Sequence, residues 1–185
     1  MFSKRTIIVG VLSCLLLTGC SVVSKILPDK AATNVLSGRE GSNGPVLVVK
    51  IDDTTQAHPQ IGLEDADIVY IEQVEGGLTR LAAVFSSVVP QRIGPVRSAR
   101  ISDIEIMSQF GRVAFAYSGA QSKLLPVIAA ANLQDLGAQR QSPTIFTTDQ
   151  TRIQPYAMVL RGDLLMQKIK DDNYQIDSAK SIGFR

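Results

Sequence analysis

A layered α/β or α+β domain, built on a mixed sheet with flanking helices, is the fold this sequence predicts. Three observations lead there. Short β-branched apolar runs alternate with stretches of helical spacing between Val46 and Lys170, the pattern of a layered mixed domain. Gly76-Gly77 separates two strand-like runs, as in a hairpin. A polar run rich in Gly, Ser and Pro precedes Val46, so the domain is expected to follow a signal segment and a flexible tether.

The chain opens with Lys4-Arg5, an apolar run from Ile7 to Leu17, and Leu17-Thr18-Gly19-Cys20. A charged start, an apolar middle and a small-residue exit form the layout of a secretory signal. The Leu-Thr-Gly-Cys ending resembles the lipobox of bacterial lipoproteins. That resemblance implies a signal peptide over 1–19, cleavage before Cys20, and fatty acyl chains such as palmitate on Cys20. The protein is then expected outside the cytoplasm, held by lipid to a bacterial cell membrane. A spanning helix needs about 20 apolar residues, and this run is shorter and interrupted by Gly10 and Ser13. Each buried lipid methylene contributes about 0.8 kcal/mol, and stable anchoring takes more than one chain, which a diacylglyceryl group supplies.

Losing the signal changes what the composition means. Lys4 and Arg5 are the only charges before Cys20, so the 19 basic residues fall by two and equal the 17 acidic ones. A nucleic-acid binder needs a basic excess, and the mature chain has none. Cys14 leaves with the signal and Cys20 is blocked by lipid, so no cysteine is left for a disulfide, for catalysis or for a metal. One histidine and no free thiol make no ordinary zinc site. Asp52, Asp53, Asp65 and Asp67 do not fit calcium-loop spacing. No phosphate-binding Gly-rich loop is present, so no cofactor is expected.

Residues 20–45 read as the tether, since such a polar run buries too little apolar surface to fold. The α/β domain is expected over 46–185, as one domain. Val46–Ile51 is a buried strand that Asp52-Asp53 ends. Residues 63–67 form a short helical turn. Strands follow over 68–75 and 78–89, joined by Gly76-Gly77. Tyr70, Glu72 and Val74 share one face of the first of these; Ile71, Gln73 and Glu75 share the other. Neither face is wholly apolar, so one lines something polar. Residues 90–99 form a loop. Ser102 starts a helix through Phe110, with Glu105 as a capping-box partner, and Gly111 stops it. A strand is expected over 113–117, a helix over 122–131 with Pro126 in or near its first turn, a strand over 144–148 and a helix over 160–170.

Several motifs come in order from Val49-Lys50-Ile51-Asp52 onward. They are Pro59-Gln60-Ile61-Gly62-Leu63, Ala66-Asp67-Ile68-Val69-Tyr70, Val74-Glu75-Gly76-Gly77-Leu78-Thr79-Arg80, Gly94-Pro95-Val96-Arg97-Ser98-Ala99-Arg100 and Tyr117-Ser118-Gly119. Together they resemble the N-terminal domain of the YerB-like bacterial lipoproteins, a family of unknown function, over most of 46–135. The resemblance implies a second, C-terminal domain, for which this chain is too short, so a truncated or divergent copy is expected. Family members also tend to carry a His-Asn pair near the end of the first domain, where this chain has Ile153-Gln154-Pro155-Tyr156.

The densest candidate site is Arg92, Arg97 and Arg100 before the helix at Ser102, with Arg80 able to join them. Guanidiniums beside a helix start suit a phosphate, a carboxylate or an acidic sugar. The alternative is a solvated loop whose arginines pair with Glu72, Glu75 or Asp103. Arg80, Arg97 and Arg100 are the candidate ligand-binding set. Asp52, Glu72 and Glu75 are candidate catalytic carboxylates, because a suitably spaced pair performs acid–base chemistry on glycans. Glu72 and Glu75 face opposite ways, so the pair would be Asp52 with one of them. Ser118 stands where a strand enters a turn but lacks the full nucleophile-elbow motif. His58, the sole histidine, is its only available base.

Two functions follow as expectations. One is an envelope lipoprotein that binds an anionic cell-wall ligand or an envelope protein through the arginines. The other is an envelope hydrolase acting on cell-wall glycan or peptide through Asp52 with Glu72 or Glu75. A third outcome is a fragment without independent activity.

Overall fold

The computed structural model describes residues 32–183. The signal segment, Cys20 and the first part of the expected tether lie outside the described residues.

Five strands form the main sheet: β1 (Leu47–Asp52), β2 (Ile68–Gln73), β3 (Thr79–Phe85), β5 (Val113–Ala116) and β6 (Leu133–Asp135), in the spatial order β2-β3-β1-β5-β6. β1 pairs antiparallel with β3 and parallel with β5, so the sheet is mixed. A second sheet, β4-β8-β7, is made by β4 (Arg92–Ile93), β7 (Phe146–Thr148) and β8 (Met158–Arg161). Among the described residues three α-helices flank the sheets: α1 (Ser102–Ser108), α2 (Leu125–Ala130) and α3 (Gly162–Asp171).

The pleat of β1 decides the layers. Leu47, Val49 and Ile51 enter one apolar core with Phe85, Ile93, Phe146, Leu160 and Leu165, so the small sheet and α3 cover that face. Val46 and Val48 enter the other with Met107, Phe110, Phe115 and Ile128, under α1 and α2. Every residue of β1 is buried, which is why it reads as a nearly unbroken apolar run. The departures from that run are Lys50 and Asp52, both turned toward the α1 side.

The expected mixed layered fold is present, with local differences. The hairpin forms about Gly76 and Gly77, both at φ 72, a left-handed conformation glycine adopts without steric cost. Its third strand ends at Phe85 rather than 89, because the amides of Ser86 and Ser87 turn to Asp67. The 90–99 stretch is not wholly loop: Arg92 and Ile93 pair with Arg161 and Leu160. Residues 160–161 therefore finish a strand, and the helix begins at Gly162. The β6 strand at 133–135 is too short to leave a periodic signal. The Ser102–Glu105 capping box does not form, since Ser102 Oγ donates to Glu72 instead. Gly111, at φ 80, does stop α1; a Cβ there would lie 2.1 Å from Asp177 Oδ2.

Residues 32–45, expected as tether, pack on the domain. Asn34 is buried, and its side-chain amide donates to Ser86 Oγ at 2.8 Å and Ser42 O at 2.9 Å. Gly44 N donates to Ser86 O at 3.1 Å and Val46 N to Asp177 O at 3.0 Å. Asp67 is the staple: one oxygen accepts from Ser37 Oγ at 2.6 Å, the other from Ser86 N at 2.6 Å and Ser87 N at 2.8 Å. Composition alone favoured disorder here; specific side-chain hydrogen bonds override it.

Burial pushes the Asp67 carboxyl up, but the donors on Ser37, Ser87 and Ser86 outweigh it and hold the group below its ordinary value. A carboxylate so held adds stability above its unfolded value of about 3.9, and that stability is lost as the pH falls through the folded value. Asp67→Asn is expected to cost about 1–2 kcal/mol at pH 7, allowing for solvent screening of this half-buried group. In urea titrations its deficit against wild type should shrink below about pH 4.

Candidate functional site

Beneath the candidate site lies a buried charge cluster. Lys50, wholly buried at the sheet centre, ion-pairs with Glu72 on β2 and with Asp103 Oδ1 on α1, the latter at 2.8 Å. Ser102 Oγ donates to the second Glu72 oxygen. The second Asp103 oxygen accepts from Arg100 N at 2.6 Å. Burial pushes the Asp103 carboxyl up to about 6, with the Glu72 charge adding to the rise and Lys50 opposing it. Burial also pushes Glu72 up, but hydrogen bonds from Lys50 and Ser102 prevail and hold it below its ordinary value.

The site itself sits at the carboxyl ends of β1 and β5. In open α/β sheets this is where ligands bind between strands. Here the two strands stay in register only to Val49 opposite Ala116, and residues 95–99 enter between them. Asp52 N donates to Pro95 O, Arg97 N to Lys50 O, Ser118 N to Arg97 O and Ala99 N to Gly119 O, all within 3.0 Å. The crevice is thus occupied by the protein's own arginine-bearing segment.

Three of the four candidate arginines converge. Arg80 Nη1 and Arg100 Nη1 both donate to Ser98 O, at 3.1 and 3.3 Å. Arg97 ion-pairs with buried Asp52 and lies over the Tyr156 ring, 5.7 Å from its centroid, a cation–π distance. Burial, then the charges of Arg100 and Arg97, pull the Arg80 guanidinium below its ordinary value. Arg92 does not join them; it pairs with Asp149 at 2.9 Å, beyond the second sheet. Two clefts flank the group, separated by the hairpin tip. One, of about 230 Å³, is lined by Glu75, Arg100, Gln121 and Lys123 over an apolar floor. The other, of about 320 Å³, is lined by Asp53, Thr54, Leu78, Thr79 and Tyr156.

The carboxylates are engaged. Asp52 accepts from Thr54 N at 2.7 Å besides pairing with Arg97. Glu72 belongs to the Lys50 cluster. Glu75 Oε2 meets Arg100 Nε at 2.8 Å and Nη2 at 2.7 Å. The expected pairing of arginines with acids thus holds for Glu75, whereas Glu72 and Asp103 go to Lys50. The start of α1 is engaged as well: Asp103 N donates to Arg100 O and Ile104 N to Ile101 O, both at 3.2 Å. Ser118 Oγ lies 3.4 Å from Ser98 Oγ, while His58 Nε2 faces Asp53 at 3.3 Å and Gln60. The two therefore form no Ser–His pair.

Lys50 was missed as a site residue because a lone lysine inside an apolar strand looks like an exposed interruption. The useful signal was the lack of any polar face for it to reach. Tyr156 lies in a weakly patterned segment and Gln121 between a motif and a helix start, and only the chain's path brings them in. Lys50→Met leaves two buried carboxylates without a counter-charge, and a loss of about 3–5 kcal/mol is expected in urea denaturation. Adding Glu72→Met and Asp103→Asn to it should recover most of that loss. Carboxyl titration by NMR should place Asp103 at about 6.

Among the described residues no helix is long and apolar enough to cross a membrane. A protein named "Putative lipoprotein YerB" from Bacillus subtilis is 41% identical over 75 residues, which are 40% of this chain and 22% of that protein. The crystal structure of YerB protein from Bacillus subtilis matches with a TM-score of 0.71 at 24% identity, covering 82% of this chain and 53% of that one. This fold is therefore that of the solved relative, and the chain spans only about half of its length. Residues 32–175 match the family described as the N-terminal domain of a protein of unknown function, DUF3048, and the chain belongs to that family.

Proposed function

We propose that this protein is a membrane-anchored lipoprotein of the bacterial cell envelope, whose folded domain binds an anionic ligand or an acidic protein partner through Arg80, Arg97 and Arg100. One observation carries the reading: two guanidiniums share the single carbonyl of Ser98, with Arg97 from the preceding residue beside them. Like charges held this close repel, and a bound anion relieves that repulsion. Asp52 and Glu75 offset two of the three charges, leaving one in excess. The side chains of Arg97 and Arg100 remain 22% and 18% exposed, enough for a ligand to reach them. Guanidinium donors match the oxygens of carboxylates and phosphates.

The anchor is the lipid on Cys20. Support comes from the Leu-Thr-Gly-Cys ending and from the similarity to a protein named as a lipoprotein. The hydrolase reading gains no support from the geometry. Asp52 is 1% exposed and Glu72 7% exposed, and each is tied to a cation, so neither offers a free carboxylate to a substrate.

Two outcomes follow. Cys20→Ser should move the protein from the membrane fraction to the soluble or secreted fraction and abolish incorporation of labelled palmitate; unchanged incorporation would refute the anchor. Calorimetry with peptidoglycan fragments, teichoic acid and phosphosugars should detect binding that falls at least tenfold in Arg97→Ala/Arg100→Ala. Equal binding by the variant, or no binding of any of these, would refute the arginine site.

A further inference from the structure

We propose that the cleft beside Arg100 takes the free carboxyl end of a short peptide with a small apolar terminal side chain, and that Glu75 holds the place of that carboxylate while the site is empty. This rests on the reading of Arg100 as part of an anion site and names the ligand class for one side of it. The guanidinium is oriented from behind, where Nη1 donates to Ala99 O at 2.9 Å and Ser98 O at 3.3 Å. The Nε–Nη2 edge is thereby presented outward, and this is the fork that fits a carboxylate. Glu75 occupies it, with one oxygen 2.8 Å from Nε and 2.7 Å from Nη2. The other Glu75 oxygen accepts from Gln121 Nε2 at 3.3 Å. A guanidinium edge and a side-chain amide thus already converge on one carboxylate.

The occupying group is poised to leave. Glu75 is 59% exposed and stands on the surface turn formed with Gly76 and Gly77, so solvent screens its hold on Arg100. A second cation, Lys123, lines the same cleft and makes no ion pair among the described residues. The floor differs in character. Ala99, Leu124 and Val127 line it, and Ile101 at the rim is 64% exposed. An apolar floor cannot replace the water that a sugar's hydroxyls give up on burial, whereas it suits an alkyl side chain. The cleft, at about 230 Å³, is smaller than the roughly 300–1,000 Å³ that houses a whole small ligand. It accommodates a ligand's end, with the rest extending into solvent.

The test is calorimetry on the whole chain in detergent micelles with three probes: N-acetyl-Ala-Ala with a free carboxyl, its C-terminal amide, and glucose 6-phosphate. The free acid should bind, and the amide at least tenfold more weakly. Glu75→Gln, which neutralises the internal occupant and keeps its shape, should tighten the acid at least threefold. Val127→Asp should weaken it at least tenfold. A silent acid, equal binding of acid and amide, or weaker binding in Glu75→Gln would overturn the assignment. If the dipeptide is silent while glucose 6-phosphate binds in a manner lost in Arg97→Ala, the cleft assignment fails and the anion site stands. If neither binds, the cleft assignment fails, and the arginine site stands or falls on the peptidoglycan, teichoic acid and phosphosugar titrations above.

Discussion

Lys50 puts an ammonium group in the middle of the main sheet, where water does not reach it. Taking such a charge out of water costs several kcal/mol even after relaxation. The protein offsets this with two carboxylates from different elements, Glu72 on β2 and Asp103 on α1. The position of α1 over the sheet therefore depends on Lys50 keeping its partners. A buried pair of this kind is weak evidence for stability, since an apolar replacement of similar volume often does as well. Geometrically, it is the point at which β1, β2 and α1 meet. Ser102 joins through its hydroxyl, which is why it does not cap its own helix.

The same cluster reaches the surface in one step. The Asp103 oxygen that Lys50 leaves free accepts the Arg100 amide, so the arginine segment is pinned to the core at its far end. At its near end the segment is stitched into the sheet between the diverging ends of β1 and β5. Arg97 and Arg100 are thus carried on backbone that is hydrogen-bonded at both ends. Rigid support of this sort holds side chains in place for recognition. A crevice that other α/β folds leave open to ligands is filled here, and the guanidiniums with the two clefts beside the hairpin tip form the surface at that end of the sheet.

Much of this was legible in the chain. The buried strand at 47–52, the hairpin about two glycines and the helix ended by Gly111 all carry local signals, of apolar runs, positive-φ turn chemistry and helical spacing. The convergence of Arg80 with Arg97 and Arg100 was anticipated as well. The failures share a cause. β4 and β6 are two and three residues long, too short to display a period, and exist only because a neighbouring strand offers its edge. Residues 32–45 have the composition of a tether and fold because Asn34 and Asp67 find partners far along the chain. Arg92 sits near the other arginines in sequence but turns away, because β4 belongs to the second sheet.

By itself the sequence determined the longer strands and helices, the family, and the lipobox-like ending at Cys20. Each is encoded by residues close together in the chain: spacing, turn glycines, an ordered set of short motifs. Only the tertiary structure decided which charges meet. Glu72 was a candidate partner for an arginine first and a catalytic partner for Asp52 second; burial of Lys50 claimed it, because an uncompensated ammonium in the core costs more than either alternative returns. Asp52 was claimed by Arg97 on the same ground. Charge pairing is set by which groups lose their water together, and that depends on the packing of distant segments rather than on the local order of residues.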